Sequence, residues 1–173
     1  MHYTQTISSP LGNILLSADE VGLTGLWFDG GRYYADTLPE EHVERETPIL
    51  MDTKRWLDVY FTGREPDFTP PLHPTGSSFR QTVWQLLLEI PYGLTTTYGA
   101  LAKQLGGVHM SAQAVGGAVG HNPISIIVPC HRVVGTNGSL TGYAGGLDRK
   151  IRLLEIEQTD MHGLFRPKKG TTI

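Results

Sequence analysis

The chain has 173 residues and a mass of 19.0 kDa, with 39% apolar and 18% charged side chains and a net charge of −3. That is enough apolar material for a core and too little charge bias for a disordered chain, and no apolar run approaches the roughly 18 residues that a membrane span needs. The start, Met1-His2-Tyr3-Thr4-Gln5, has neither a basic nor an apolar leader, so a cytoplasmic protein is expected, and one cysteine excludes an internal disulfide and a Cys-rich zinc site.

The charge is unevenly spread. Residues 1–75 carry 12 acidic and 5 basic side chains, whereas residues 76–173 carry 5 acidic and 9 basic ones. The net charge therefore changes from −7 to +4 at Pro66, Pro70, Pro71 and Pro74, a stretch that can continue neither a helix nor a central strand. This organisation predicts an N-terminal α/β support domain over 1–65, a Pro-rich linker over 66–77, a C-terminal domain over 78–160 and a tail over 161–173. The fold class is α/β of the α+β type.

In the first half, Ser9-Pro10-Leu11-Gly12 marks a turn, and Ile14-Leu15-Leu16 and Leu23–Phe28 read as strands on either side of Asp19-Glu20-Val21-Gly22. Residues 31–46 lack a pattern and read as a loop. From Pro48, Leu50, Leu57 and Phe61 recur at helical intervals until Gly63, a C′ stop signal. A small antiparallel sheet with one packed helix follows, with no constellation that carries chemistry.

In the second half, Ser78 and Gln81 have capping-box spacing ahead of the apolar face Phe79, Val83, Leu86, Leu87 and Ile90, and Pro91 ends that helix. A helix over about Tyr98–Leu105, the break Gly106-Gly107, and a second helical segment from Ser111 to Asn122, bounded by Pro123, have the pattern of a helix-turn-helix. The second helix is almost entirely small residues, although glycine costs about 1 kcal/mol per interior position relative to alanine. Close approach of a ligand and tight packing on a neighbouring helix explain this equally well. Ile124–Val128 reads as a buried strand, Thr136-Asn137-Gly138 as a hairpin-type turn, and the last helix, from about Leu147 to Gln158, places Glu157 near an apolar face formed by Leu147, Ile151 and Leu154.

Cys130 stands out by its context, Pro129-Cys130-His131-Arg132, where a buried run ends. The thiolate is the nucleophilic form of cysteine, and imidazole or cationic neighbours lower its pKa from about 8.5. His131 is placed to take the proton, directly or through a water, and an acid such as Glu157 is suited to orienting the imidazole.

Pro129-Cys130-His131-Arg132-Val133 resembles the acceptor-cysteine motif of the O6-alkylguanine-DNA alkyltransferases. The resemblance extends through Ile90-Pro91-Tyr92-Gly93, Thr97-Tyr98-Gly99, Ala114–Ala118, Asn122-Pro123 and Gly142–Gly146, and more loosely through Ser9–Gly12 and Tyr60–Gly63. It implies stoichiometric transfer of an alkyl group from O6-alkylguanine, and from O4-methylthymine, to Cys130. By the same resemblance His131 is the base, Glu157 holds it, Asn122 ties the helix-turn-helix to the active-site turn, and Tyr98 assists the departing guanine. Val133, Tyr143 and Ala144 would line the base pocket. Ala112, Gln113, Ala114, Gly117 and Ala118 would meet DNA through the minor groove, which at about 6 Å is narrower than a dressed helix of about 10–12 Å.

The implied partner is double-stranded DNA carrying O6-alkylguanine, bound by a monomer with no membrane contact, no cofactor and no metal. Gln113 departs from the family, whose members commonly place there an arginine that fills the gap left by the flipped base. Three rivals compete with this reading. A lesion-binding alkyltransferase-like protein is opposed by the cysteine at the acceptor position. A cysteine hydrolase predicts multiple turnover, and a helix-turn-helix regulator of this family needs a further metal-binding domain.

Overall fold

The computed structural model describes residues 1–106 and 111–167. Gly107 of the expected helix break, and Lys168 and Lys169 of the expected tail, lie outside the described residues. Three strands, β1 (His2–Ile7), β2 (Ile14–Ala18) and β3 (Leu23–Phe28), form an antiparallel meander, and β4 (His42–Glu44) adds to the outer edge of β1 in parallel. The sheet order is β3-β2-β1-β4. Two of these strands were not anticipated from sequence. β1 has a mixed pattern, and β4, inside the expected loop 31–46, is only three exposed residues with no apolar signal.

All six residues of β3 are buried, because its free edge is covered by the Pro-rich linker and by a segment of the second half of the chain. Leu23 N–H donates to Pro71 O at 2.7 Å and Leu23 O accepts from His73 N–H at 2.7 Å. Further along, Leu26 N–H donates to Pro123 O at 2.8 Å and Leu26 O accepts from Ser125 N–H at 3.0 Å. The Pro-rich stretch is thus extended but bonded to the sheet edge, which satisfies backbone groups that an open edge would leave exposed. The same contacts fix the loop that leads to Cys130.

Helix α1 (Pro48–Tyr60) is capped by the Thr47 side chain and has Pro48 in its first turn. Gly63 takes a left-handed φ of +86°, but the helix ends at Tyr60 with Phe61 as its C-cap, so the glycine expected at C′ lies one position beyond it. Helix α2 (Ser78–Leu87) is capped by Ser77, not Ser78: the Ser77 hydroxyl accepts from Arg80 N–H. The capping box is absent because Gln81 lies one residue too late, and its Nε2 donates to Pro74 O instead. Helices α3 (Tyr98–Gln104) and α4 (Ala112–Gly120) pack together as the helix-turn-helix, with side-chain caps from Thr97 and Ser111. Strand β5 (Thr96–Thr97) pairs in parallel with β6 (Val133–Val134), and α5 (Leu147–Ile156) closes the fold.

One continuous core joins the halves, running from Leu16, Leu26 and Leu57 through Val83, Leu101 and Val115 to Ile124, Cys130 and Leu153. Trp84 of α2 fills it and donates from Nε1 to Ala118 O of α4 at 2.9 Å. No described helix is long and apolar enough to cross a membrane.

Candidate active site

The apolar run Ile124–Val128 is buried as expected but is not a strand. Asn122 folds it back: its Nδ2 donates to Val128 O at 2.8 Å and to Ile124 O at 3.2 Å, and its Oδ1 accepts from Ile124 N–H at 3.0 Å. Side-chain amides commonly bond nearby backbone in this way and outcompete strand pairing. Ile126 is held within the turn at φ +70°, a conformation that β-branched residues rarely adopt. This compact turn delivers Pro129 and a 3₁₀ turn, Cys130–Arg132, to the centre of the molecule.

His131 is fully buried, and its Nε2 lies 2.6 Å from Glu157 Oε2. Glu157 is buried at the end of α5 and accepts from Arg132 Nε at 2.8 Å, Arg132 Nη2 at 3.1 Å, Gly93 N–H at 3.2 Å and Tyr60 Oη at 2.7 Å. Burial alone would raise its pKa, but hydrogen bonds and charge from His131 and Arg132 outweigh that and hold it at about 2. An ionised carboxylate can only accept, so Nε2 carries the imidazole proton and Nδ1 is the basic nitrogen. His131 Nδ1 is buried with no hydrogen-bond partner among the described residues. Burial pushes the His131 pKa below its ordinary value despite Glu157, whose charge is already balanced by Arg132. The imidazole therefore rests neutral.

Cys130 is only 5% exposed. Burial pushes its thiol above the ordinary value, opposed by the Asn122 amide and the Lys150 ammonium. Lys150 is fully buried and donates to Val133 O and Thr141 O, both at 2.7 Å. Burial lowers its pKa from 10.5 to about 8, with the charge of Cys130 acting the other way. It clamps the segment after Cys130 to the segment before Tyr143. The sequence carried a signal for it: Lys150 falls three residues after Leu147 and four before Leu154, on the apolar face of α5. Tyr98 is buried, and its hydroxyl makes only long contacts, 3.4 Å each, to Thr141 O and Gly142 O. Burial and the nearby Cys130 raise its pKa, so the hydroxyl remains a donor.

Beside this cluster lies a cleft of about 620 Å³ lined by Gln113, Gly116, Gly117, Gly120, Tyr143 and Ala144, among others. Cys130 does not line it. Tyr143 belongs to both places, since its ring packs edge-on against His131 at 6.4 Å. Val133 is fully buried behind the cysteine and contributes its carbonyl to Lys150. Ala112, Gln113 and Ala114 are exposed on α4, and among the described residues a Cβ added at Gly117 or Gly120 meets nothing within 4 Å. Packing among the described residues therefore does not explain those two glycines. Ala118 departs from its expected place: it is 3% exposed and turned into the core beside Trp84.

The first half of the chain, expected to carry no chemistry, reaches both places. Tyr60 bonds Glu157, and Arg32 and Tyr33 line the cleft, with Tyr33 stacked on His121 at 4.0 Å. Among the described residues, no group of three His, Cys, Asp or Glu side chains is arranged to hold a metal ion.

Comparison with known proteins fits this arrangement. The model of the 6-O-methylguanine DNA methyltransferase DNA binding domain matches residues 78–159, and that of the ribonuclease-like domain of the same proteins matches residues 1–74. The methylated-DNA–protein-cysteine methyltransferase of Methanosarcina acetivorans is 47% identical over 155 residues, covering 90% of this chain and 97% of the relative. That of Haemophilus influenzae is 40% identical over 159 residues, covering 91% and 87%. The crystal structure of Mycobacterium tuberculosis OGT in complex with DNA superposes with a TM-score of 0.80 at 42% identity, covering 90% of this chain and 92% of that one. Matched in both halves and across almost its whole length, the chain belongs to the 6-O-methylguanine DNA methyltransferase family.

Proposed function

We propose that this protein repairs DNA by moving a methyl or larger alkyl group from O6 of guanine, and from O4 of thymine, onto the Cys130 sulfur, once per molecule. The observation that carries the reading is the buried His131–Glu157 contact beside Cys130. Glu157 fixes the proton on Nε2, which leaves Nδ1 as an unpartnered base in the same 3₁₀ turn as the buried thiol.

In the proposed reaction, Nδ1 takes the thiol proton, directly or through one bridging water. The sulfur attacks the alkyl carbon in line; the S–C bond forms as the C–O6 bond breaks, and the bonding pair stays on guanine. Tyr98 donates a hydrogen bond to the departing guanine anion, which is neutralised at a ring nitrogen by a proton from water while His131 returns the thiol proton to water. The thioether offers water no leaving group, so the protein is consumed.

O6 of a stacked guanine is out of reach of a buried thiol, and extruding the nucleotide costs about a few kcal/mol. The exposed side of α4, with Ala112, Ala114 and open space over Gly117, makes a helix slim enough for close approach to the minor groove. Chromatography of digested DNA tests the reading. Incubating a duplex carrying one O6-methylguanine with this protein should convert that base to guanine in proportion to protein added, and Cys130→Ala should leave it intact. Unchanged O6-methylguanine with the parent protein would refute the reading.

A further inference from the structure

Tyr60 ends α1, on an element otherwise devoted to packing, yet its hydroxyl reaches 97 residues along the chain to Glu157 Oε2 at 2.7 Å. That oxygen also accepts from His131 Nε2 at 2.6 Å and from Arg132 Nη2 at 3.1 Å. The Tyr60 ring is fully buried and fixed on three sides. Trp56 stacks on it at 5.2 Å, and Phe61 and Tyr92 meet it edge-on at 5.4 and 6.3 Å. A phenylalanine would fill that space equally well. The hydroxyl is thus placed on the oxygen that holds the catalytic base; its other acceptor, Leu153 O, is much farther at 3.5 Å.

The geometry points to Tyr60 as a positioning residue for alkyl transfer, through which the N-terminal half sets the basicity and orientation of His131. The inference rests on the transfer reading above. Donors that share one carboxylate oxygen divide its negative charge, so each weakens what the others receive. With the Tyr60 hydroxyl present, Glu157 orients the imidazole without pulling it fully into the protonated form. Without it, more of the carboxylate charge falls on His131, and Oε2 loses one of the donors that fix its direction. Burial and the neighbouring Glu157 charge push the Tyr60 pKa well above its ordinary value, so the hydroxyl acts as a donor at every working pH. The other groups facing the pair are Arg132, Lys150, Tyr92, Tyr143 and the Gly93 N–H, and Tyr60→Phe leaves all of them in place.

The test compares the parent, Tyr60→Phe and Leu57→Val, the last a change in the same core with no polar partner. Single-turnover methyl transfer from an O6-methylguanine duplex at saturating DNA is measured against pH, alongside DNA affinity, thermal unfolding and NMR titration of the His131 ring. Tyr60→Phe should raise the acid-limb midpoint and the His131 titration by about half a unit to one unit. It should slow transfer several-fold and leave DNA affinity unchanged, while Leu57→Val lowers only the unfolding temperature. An unshifted midpoint in Tyr60→Phe, or the same shift in Leu57→Val, would overturn the inference while leaving transfer itself standing. Absence of transfer by the parent would overturn both, with the His131 titration still reporting whether the two side chains are coupled.

Discussion

Glu157→Gln tests the electrostatic centre of the site. The substitution keeps the shape but removes the charge that faces Arg132, His131 and Tyr60, and it brings amide N–H groups against donors. Removing one partner of a buried ion pair costs about 3–5 kcal/mol, because the other is left buried and uncompensated. The depressed pKa of Glu157 points to an effect of the same size. Glu157 titrates at about 2 in the folded protein against 4.5 for an ordinary carboxyl, which corresponds to about 3 kcal/mol of stability carried by the ionised form. Because the folded-state pKa is depressed, that stability is complete above about pH 4.5 and is lost as pH falls toward 2. Urea unfolding of parent and variant across pH should therefore show the parent well ahead at pH 7. The gap should narrow by about 1 kcal/mol between about pH 5 and pH 3.5. His131 acts in the same direction: its lowered pKa favours the unfolded state once pH drops below the ordinary histidine value. A gap that stays constant over the acid range would refute this account of Glu157.

Three further substitutions separate turn geometry, the DNA face and the base pair. Asn122→Ala removes three hydrogen bonds that fold the turn before Cys130, so unfolding measurements should show a loss of about 2–4 kcal/mol and single-turnover assays a large loss of transfer. Gly117→Ala should stabilise α4 by up to about 1 kcal/mol, since its methyl meets none of the described residues, yet weaken duplex binding in a titration. Gln113→Arg should bind an alkylated duplex more tightly and transfer faster, because arginine adds charge and stacking area at an exposed position lining the cleft. Slower transfer by the arginine form would remove that explanation of Gln113.

The parts of the fold legible in the sequence were those written in local pattern. Helical spacing placed α1, α2, α3 and α5, the glycine break and small-residue run marked α4, and the context of Cys130 singled out its turn. Ile124–Val128 was misread because its five residues have the composition of a buried strand, and only the Asn122 side chain decides that they turn instead. Tyr60 was missed for a different reason: its partner lies across the whole chain, and no local period reports that distance. The burial of every β3 residue had the same non-local origin, in the cover supplied by Pro71–His73 and Pro123–Ser125. The net charge of −3 hid a division that matters, an acidic first half against a basic second half that holds α4 and Cys130.

Intact-protein mass spectrometry after incubation with excess O6-methylguanine duplex tests the central claim most directly. The account predicts the gain of one methyl group and no more, located on Cys130 and absent in Cys130→Ala. Unmodified protein alongside demethylated DNA would mean hydrolytic turnover, and unmodified protein with intact lesion would mean binding alone; either result would contradict transfer to Cys130.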